Sequence, residues 1–130
     1  MLRRKDKKRK GFSLIELLIV IAIIGIIATI AIPLLLSARN AAIDEKARNS
    51  LRTVVSAEAA YYAQNGDYGS FAELEAGNFI DSRFALNTLG NGIDITAAPV
   101  ADGQDYTCTI EGVNNSYTAT SDGHIVEAAI

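Results

Sequence analysis

The chain has 130 residues, 49% of them hydrophobic, with one histidine, one cysteine and a formal charge of −3. That length suits one small domain, the single cysteine excludes an internal disulfide framework, and the single histidine excludes most zinc clusters. Residues 1–10 hold seven of the twelve Lys and Arg (Arg3, Arg4, Lys5, Lys7, Lys8, Arg9 and Lys10) against one acid, Asp6, so the remainder has five basic and fourteen acidic residues, a net of −9, and no basic face for specific nucleic-acid recognition is expected.

Next comes an uncharged run of 22 residues, LLIVIAIIGIIATIAIPLLLSA, at positions 17–38. A bilayer core of about 30 Å needs roughly 20 helical residues, so this run can span it. A buried core helix is the weaker reading, because the rest of the chain is too small to wrap a helix that is apolar all round. A cleaved secretory signal is weaker too, since its apolar region is about 7–15 residues long and ends at an A-x-A-like site. The basic run keeps the N-terminus cytoplasmic and sends the residues beyond the apolar run across the membrane. Two features set this helix apart. Glu16 stands at its start, where a carboxylate at membrane depth costs a few kcal/mol unless it snorkels or meets a cation. The plainer reading of Glu16 is a first-turn acid favoured by the helix dipole. Pro33 removes a backbone donor and Gly25 lowers helix propensity, so both soften the helix.

The stretch KGFSLIELLIVIAIIGIIATIAIP, residues 10–33, resembles the N-terminus of type IV pilins and pseudopilins. The resemblance rests on a basic leader ending in Gly11, then Phe12, then Glu16 as the fifth residue after that glycine, with Pro33 closing the apolar run. It covers the leader and the stem only. It implies that a membrane prepilin peptidase cuts between Gly11 and Phe12 and methylates the new amine of Phe12. It further implies that a single-pass inner-membrane subunit passes through a pilus assembly platform into an extracellular homopolymer with its apolar stems inside. There the Phe12 amine of one subunit can meet Glu16 of its neighbour, and a paired carboxylate in an apolar setting costs less than an isolated one. The same amine can also neutralise Glu16 within its own subunit.

Beyond Pro33 the pattern stays helical to about Gln64. Ala47, Leu51, Val54 or Val55, Glu58 and Tyr61 or Tyr62 recur at spacings of three and four. Arg39, Asp44, Glu45, Lys46, Arg48 and Arg52 read as solvated surface, with Asp44 and Arg48 as a helical pair. Asn65-Gly66 stops the helix. A helix from Phe12 to Gln64 would be about 80 Å long, so its first half demands lipid or copies of itself. Ser70-Phe71-Ala72-Glu73 has the form of a capping box, opening a short helix that Gly77 ends and from which Phe71, Leu74 and Phe79 pack inward. Asn91-Gly92, Asp102-Gly103 and Asp122-Gly123 are turn dipeptides, and strands are expected at 93–99, 104–111, 115–120 and 124–128. Alternation puts Tyr106, Cys108 and Ile110 on one buried face, with Tyr117 and Ala119 likewise, and makes Cys108 a core filler. The expected fold is α+β, a long N-terminal helix packed through residues 47–64 on a small antiparallel sheet. Residues 1–11 form the cleaved leader, 12–38 the apolar stem and 39–130 the head. The better-known pilins tie their C-terminal strands with a cysteine pair; Cys108 alone cannot, so receptor roles assigned to that loop do not carry over.

No catalytic constellation is visible, and no enzyme activity, cofactor or metal is assigned. His124 stands beside a turn, and Asp94, Asp102, Asp105 and Asp122 lack EF-hand spacing for calcium. Phe12 and Tyr61 are 49 residues apart with no aromatic between them, which argues against an aromatic path within one subunit. The expected function is a structural subunit of a type IV pilus for adhesion, twitching motility or DNA uptake. The alternatives are a pseudopilin of a type II secretion system, a minor pilin, or a signal-anchored periplasmic protein that never polymerises. Glu16 and the soft helix speak against the last.

Overall fold

Helix α1 (Leu14–Asn65) contains 52 residues in the computed structural model, which describes residues 2, 10–90, 92–97 and 104–130. It ends one residue beyond the expected end, where Gly66 takes a positive φ of 80°. Glycine enters that left-handed region without a Cβ penalty, and its N–H closes the last turn on the Tyr62 carbonyl at 2.8 Å. The chain divides into two compact units, Met1–Leu36 and Ser37–Ile130.

In the first unit, α1 passes through both Gly25 and Pro33 without a break. Pro33 has no N–H, so the carbonyl of Thr29 one turn earlier lacks its helical donor. The Thr29 hydroxyl in turn donates to the Ile26 carbonyl at 2.7 Å. Every Leu, Ile and Val between positions 14 and 36 is exposed, on all sides of the helix.

The second unit is a helix-on-sheet layer. Two short helices follow α1: α2 (Phe71–Ala76) and α3 (Ser82–Ala85). The capping box at α2 forms as expected. The Glu73 carboxylate accepts from the Ser70 N–H at 2.7 Å, the Ser70 hydroxyl accepts from the Glu73 N–H at 3.4 Å, and Gly77 caps the far end. Helix α3 was not expected; with four residues it is too short to show a period, and only Asp81, which accepts from the Arg83 N–H at 2.9 Å, marks its start. The sheet is an antiparallel meander of β1 (Asp94–Ala97), β2 (Thr107–Glu111), β3 (Asn115–Thr120) and β4 (Ile125–Ala129), in that spatial order. Its turn at Asp122-Gly123 is present, with Gly123 at φ 79°. Asn91, residues 98–99 of the first expected strand, and Asp102-Gly103 lie outside the described residues. Asn87, itself at a positive φ of 52°, accepts the Ile95 N–H at 2.9 Å and ties β1 to the end of α3.

The core lies between α1 and one face of the sheet. Register pairs Cys108 with Ala119 and Ile110 with Tyr117, so these four side chains share a face, and with Tyr106 they are buried as alternation requires. Thr109 and Thr118 meet on the opposite face, hydroxyl to hydroxyl at 2.9 Å. From α1 come Ala47, Leu51, Val54 and Ala57, and Phe71, Leu74, Phe84, Leu89 and Ile93 close the sides. Of the paired alternatives, Val54 rather than Val55 is fully buried, and Tyr61 rather than Tyr62 packs on the core. Burial pushes the Cys108 thiol up to about 12, with the nearby Glu58 carboxyl adding to the rise, so it stays protonated, as befits a packing residue.

One charge departs from the expected surface pattern. Asp44 is only 6% exposed. Its carboxylate does not serve Arg48; it accepts the Val113 N–H at 2.7 Å, the Asn114 N–H at 3.0 Å and the Asn114 side-chain amide at 2.9 Å. Burial alone would raise its pKa, but the hydrogen bonds from Asn114 and its neighbours outweigh that and hold it below the usual aspartate value. The helix therefore engages the sheet from Asp44 onward, not from Ala47, because a carboxylate can be buried where a turn presents donors to it. The expected surface role holds for Arg52, which is exposed and lies 3.9 Å from Glu45 and 3.0 Å from the Asn49 side chain.

Candidate functional site

The residues around the start of α1 form the candidate site. Gly11 and Phe12 precede the helix in exposed chain outside any helix or strand, and Phe12 is 92% exposed. A Cβ added at Gly11 would meet nothing within 4 Å, so this fold imposes no steric need for glycine there. The same holds at Gly25.

Helix α1 begins with a capping box that sequence reading missed. The Ser13 hydroxyl accepts the Glu16 N–H at 3.2 Å, and the Glu16 carboxylate accepts the Ser13 N–H at 2.8 Å through Oε2. Two of the N–H groups that a helix start leaves without partners are thereby satisfied. The signal was available: Ser13-Leu14-Ile15-Glu16 has the same S-x-x-E form as Ser70 to Glu73. The first-turn position also gives the carboxylate a favourable interaction with the helix dipole. Among the described residues only Oε2 of the two carboxylate oxygens is engaged, which leaves Oε1 able to take a cation. Phe12, Glu16, Leu17, Ile19 and Val20 line one shallow apolar depression with this carboxylate in it.

Of the residues singled out from sequence, the structure brings Phe12 and Glu16 to one patch. Gly25 and Pro33 lie farther along the exposed apolar helix. That helix is long and apolar enough to cross a membrane. In water such a surface would associate, because contiguous exposed apolar area of this extent is seen where lipid or protein covers it. In the second unit, His124 is exposed beside its turn, and among the described residues no cluster of three His, Cys, Asp or Glu could hold a metal ion.

Comparison with known proteins bears on the same segment. Residues 6–32 match the family described as the prokaryotic N-terminal methylation motif. The chain is 36% identical over 69 residues to the type IV major pilin protein PilA of Myxococcus xanthus, covering 53% of this chain and 31% of that protein. It is 47% identical over 64 residues to the type IV wide pilus major component PilA4 of Thermus thermophilus, covering 49% of each. Over 27 residues it is 78% identical to the fimbrial protein EcpB of Eikenella corrodens, covering 21% of this chain and 17% of that one. The match thus spans about a third to a half of the length of the first two relatives.

Proposed function

We propose, for a chain whose N-terminal segment matches the prokaryotic N-terminal methylation motif and is similar to type IV major pilins, that it is a structural subunit of a type IV pilus, made as a prepilin and assembled through its apolar stem. The observation that carries this reading is the helix surface between positions 14 and 36, exposed on every side and headed by one carboxylate. A lipid-spanning helix and a filament-core helix need the same surface, and a subunit that moves from one environment to the other needs both.

In this reading residues 1–11 are the leader, which holds the N-terminus in the cytoplasm until prepilin peptidase cuts between Gly11 and Phe12 and methylates Phe12. Residues 12–38 are the stem, single-pass in the inner membrane before the assembly platform draws it into the filament. Gly25 and Pro33 ease that transfer by weakening the helix where it must repack. Residues 39–130, with the C-terminal half of α1, make the head that coats the extracellular polymer. Glu16 serves assembly. Its carboxylate already faces the backbone of Ser13, one residue from the amine that cleavage would create. A neighbouring subunit's amine can take the oxygen that Ser13 does not use. The subunit is structural and not enzymatic, and serves adhesion, twitching motility or DNA uptake.

Electron microscopy of material sheared from the cell surface tests this. Abundant long filaments composed of this chain are the expected result. Processed chain confined to the inner membrane would overturn the pilus-subunit reading in favour of a pseudopilin or minor pilin.

A further inference from the structure

Two carboxyl groups are buried on the second half of α1, and they are treated oppositely. Asp44 receives three hydrogen bonds. Glu58 is 0% exposed and receives one, from the Gly69 N–H to its Oε2 at 3.0 Å. Its other oxygen, Oε1, is buried with no partner, alone in this among the side-chain atoms of the described residues. An ionised carboxylate accepts up to about four hydrogen bonds and is costly to bury with fewer; a neutral acid is far cheaper.

Among the described residues, no positively charged group acts on Glu58. The titratable groups acting with it are Tyr61 on its own helix, Glu73 on α2, and Tyr106 and Cys108 on β2. Asp67 and Tyr68 of the connection and Asp122 beyond β3 act on those same tyrosines. All of these are acids, phenols or a thiol.

The contact that Glu58 makes is also the one that positions the α1–α2 connection. Gly69 lies against the Tyr61 ring so closely that an added Cβ would come within 3.0 Å of it. Tyr68, the preceding residue, lies tilted against Tyr62 at 4.7 Å and edge-on to Tyr106 at 4.9 Å between ring centres, and its hydroxyl donates to the Ser121 carbonyl at 3.3 Å. Ser70, the following residue, caps α2. A shift at Gly69 therefore disturbs an aromatic cluster on one side and a helix cap on the other.

We propose that Glu58 is a proton-operated clasp: neutral, it stays buried with the connection closed over it at Gly69, and ionised, its unpartnered Oε1 draws in water and opens that connection, although the Gly69 N–H itself bonds the carboxylate more strongly. The isolated Oε1 and the all-acidic surroundings both favour the protonated form. Burial pushes the group up from 4.5 to about 7, opposed by the Gly69 hydrogen bond and helped by the charge of Glu73. The clasp thus operates near neutral pH. It depends only on the head and stands independently of the filament reading.

The sign follows from linkage. A carboxyl raised on folding binds its proton more tightly folded than unfolded. Its contribution is complete below pH 4.5, falls as pH rises to about 7, and is flat above. For the full chain in detergent micelles, the folding equilibrium of the wild type should weaken on the order of a hundredfold between those limits through this group. Glu58→Gln keeps an acceptor for Gly69 but cannot ionise. It should match the wild type near pH 4.5 and exceed it at pH 8 in thermal unfolding. Independently, the wild-type amide signal of Gly69 should shift with a midpoint near pH 7, a readout that needs no variant to fold. Identical pH profiles for wild type and Glu58→Gln would overturn the proposal. So would a Gly69 signal that does not titrate between about pH 6 and 8.

Discussion

Glu16→Ala should leave cleavage between Gly11 and Phe12 intact and abolish filaments. The substitution removes two things at once: the acceptor that caps the start of α1 and the negative charge in an otherwise apolar surface. Losing the cap costs about 1 kcal/mol of helix stability, too little to prevent a helix of 52 residues. In the proposed filament, losing the charge removes the partner for the cation on Phe12, which would then be buried unpaired in the core, at a cost of several kcal/mol per subunit. Glu16→Gln separates the two effects. Glutamine serves a capping box as glutamate does, but carries no charge. Immunoblots of the processed form alongside electron microscopy should show Gln and Ala failing alike in assembly, with processing retained in both. Rescue by Gln would mean that Glu16 acts only as a helix cap and that the charge pairing is wrong.

The second large effect is expected at Asp44. Asp44→Ala strands two backbone N–H groups and one side-chain amide in the partly buried turn between β2 and β3. Each such loss costs about 1–3 kcal/mol when water cannot fully replace the acceptor. A destabilisation of about 3 kcal/mol is expected, and thermal unfolding of the full chain in micelles should show a midpoint lower by roughly 10 °C. Asp44→Asn, which keeps one acceptor oxygen, should lose less. The fit is tight from the other side as well: a Cβ at Gly112 would come within 2.9 Å of the Asp44 Cα, so Gly112→Ala should also destabilise. Because hydrogen bonding holds Asp44 below its ordinary value of 3.8, its contribution is present above that pH and is lost as pH falls further. With Glu58 acting in the opposite sense, the head should be most stable near pH 4–5.

What could be read from the sequence follows the range of the forces involved. The alternation of Tyr106, Cys108 and Ile110 against Thr107 and Thr109 is a local pattern, and it locates the buried face of β2 correctly. The apolar run and the capping box at Ser70 are local in the same way. Strand β2 begins at Thr107 and not at 104 because its partner β3 ends at Thr120, and no local pattern reports where a partner stops. Asp44 reads as surface in the sequence because its donors lie 69 and 70 residues away. Glu58 falls on the buried face by its spacing, but only the structure gives its single hydrogen bond and its unpartnered oxygen. At the candidate site, Glu16 reads from the sequence as a membrane carboxylate or a dipole-favoured acid, while its partnership with Ser13 is carried by the S-x-x-E motif that the two complete.

As proposed, this chain is a prepilin whose leader is removed to expose Phe12. Mass spectrometry of the N-terminal peptide, taken from the chain as it occurs in its own cells, tests it most directly. The expected peptide begins at Phe12 and carries a methyl group on its amine. A chain that retains residues 1–11 would contradict the proposal.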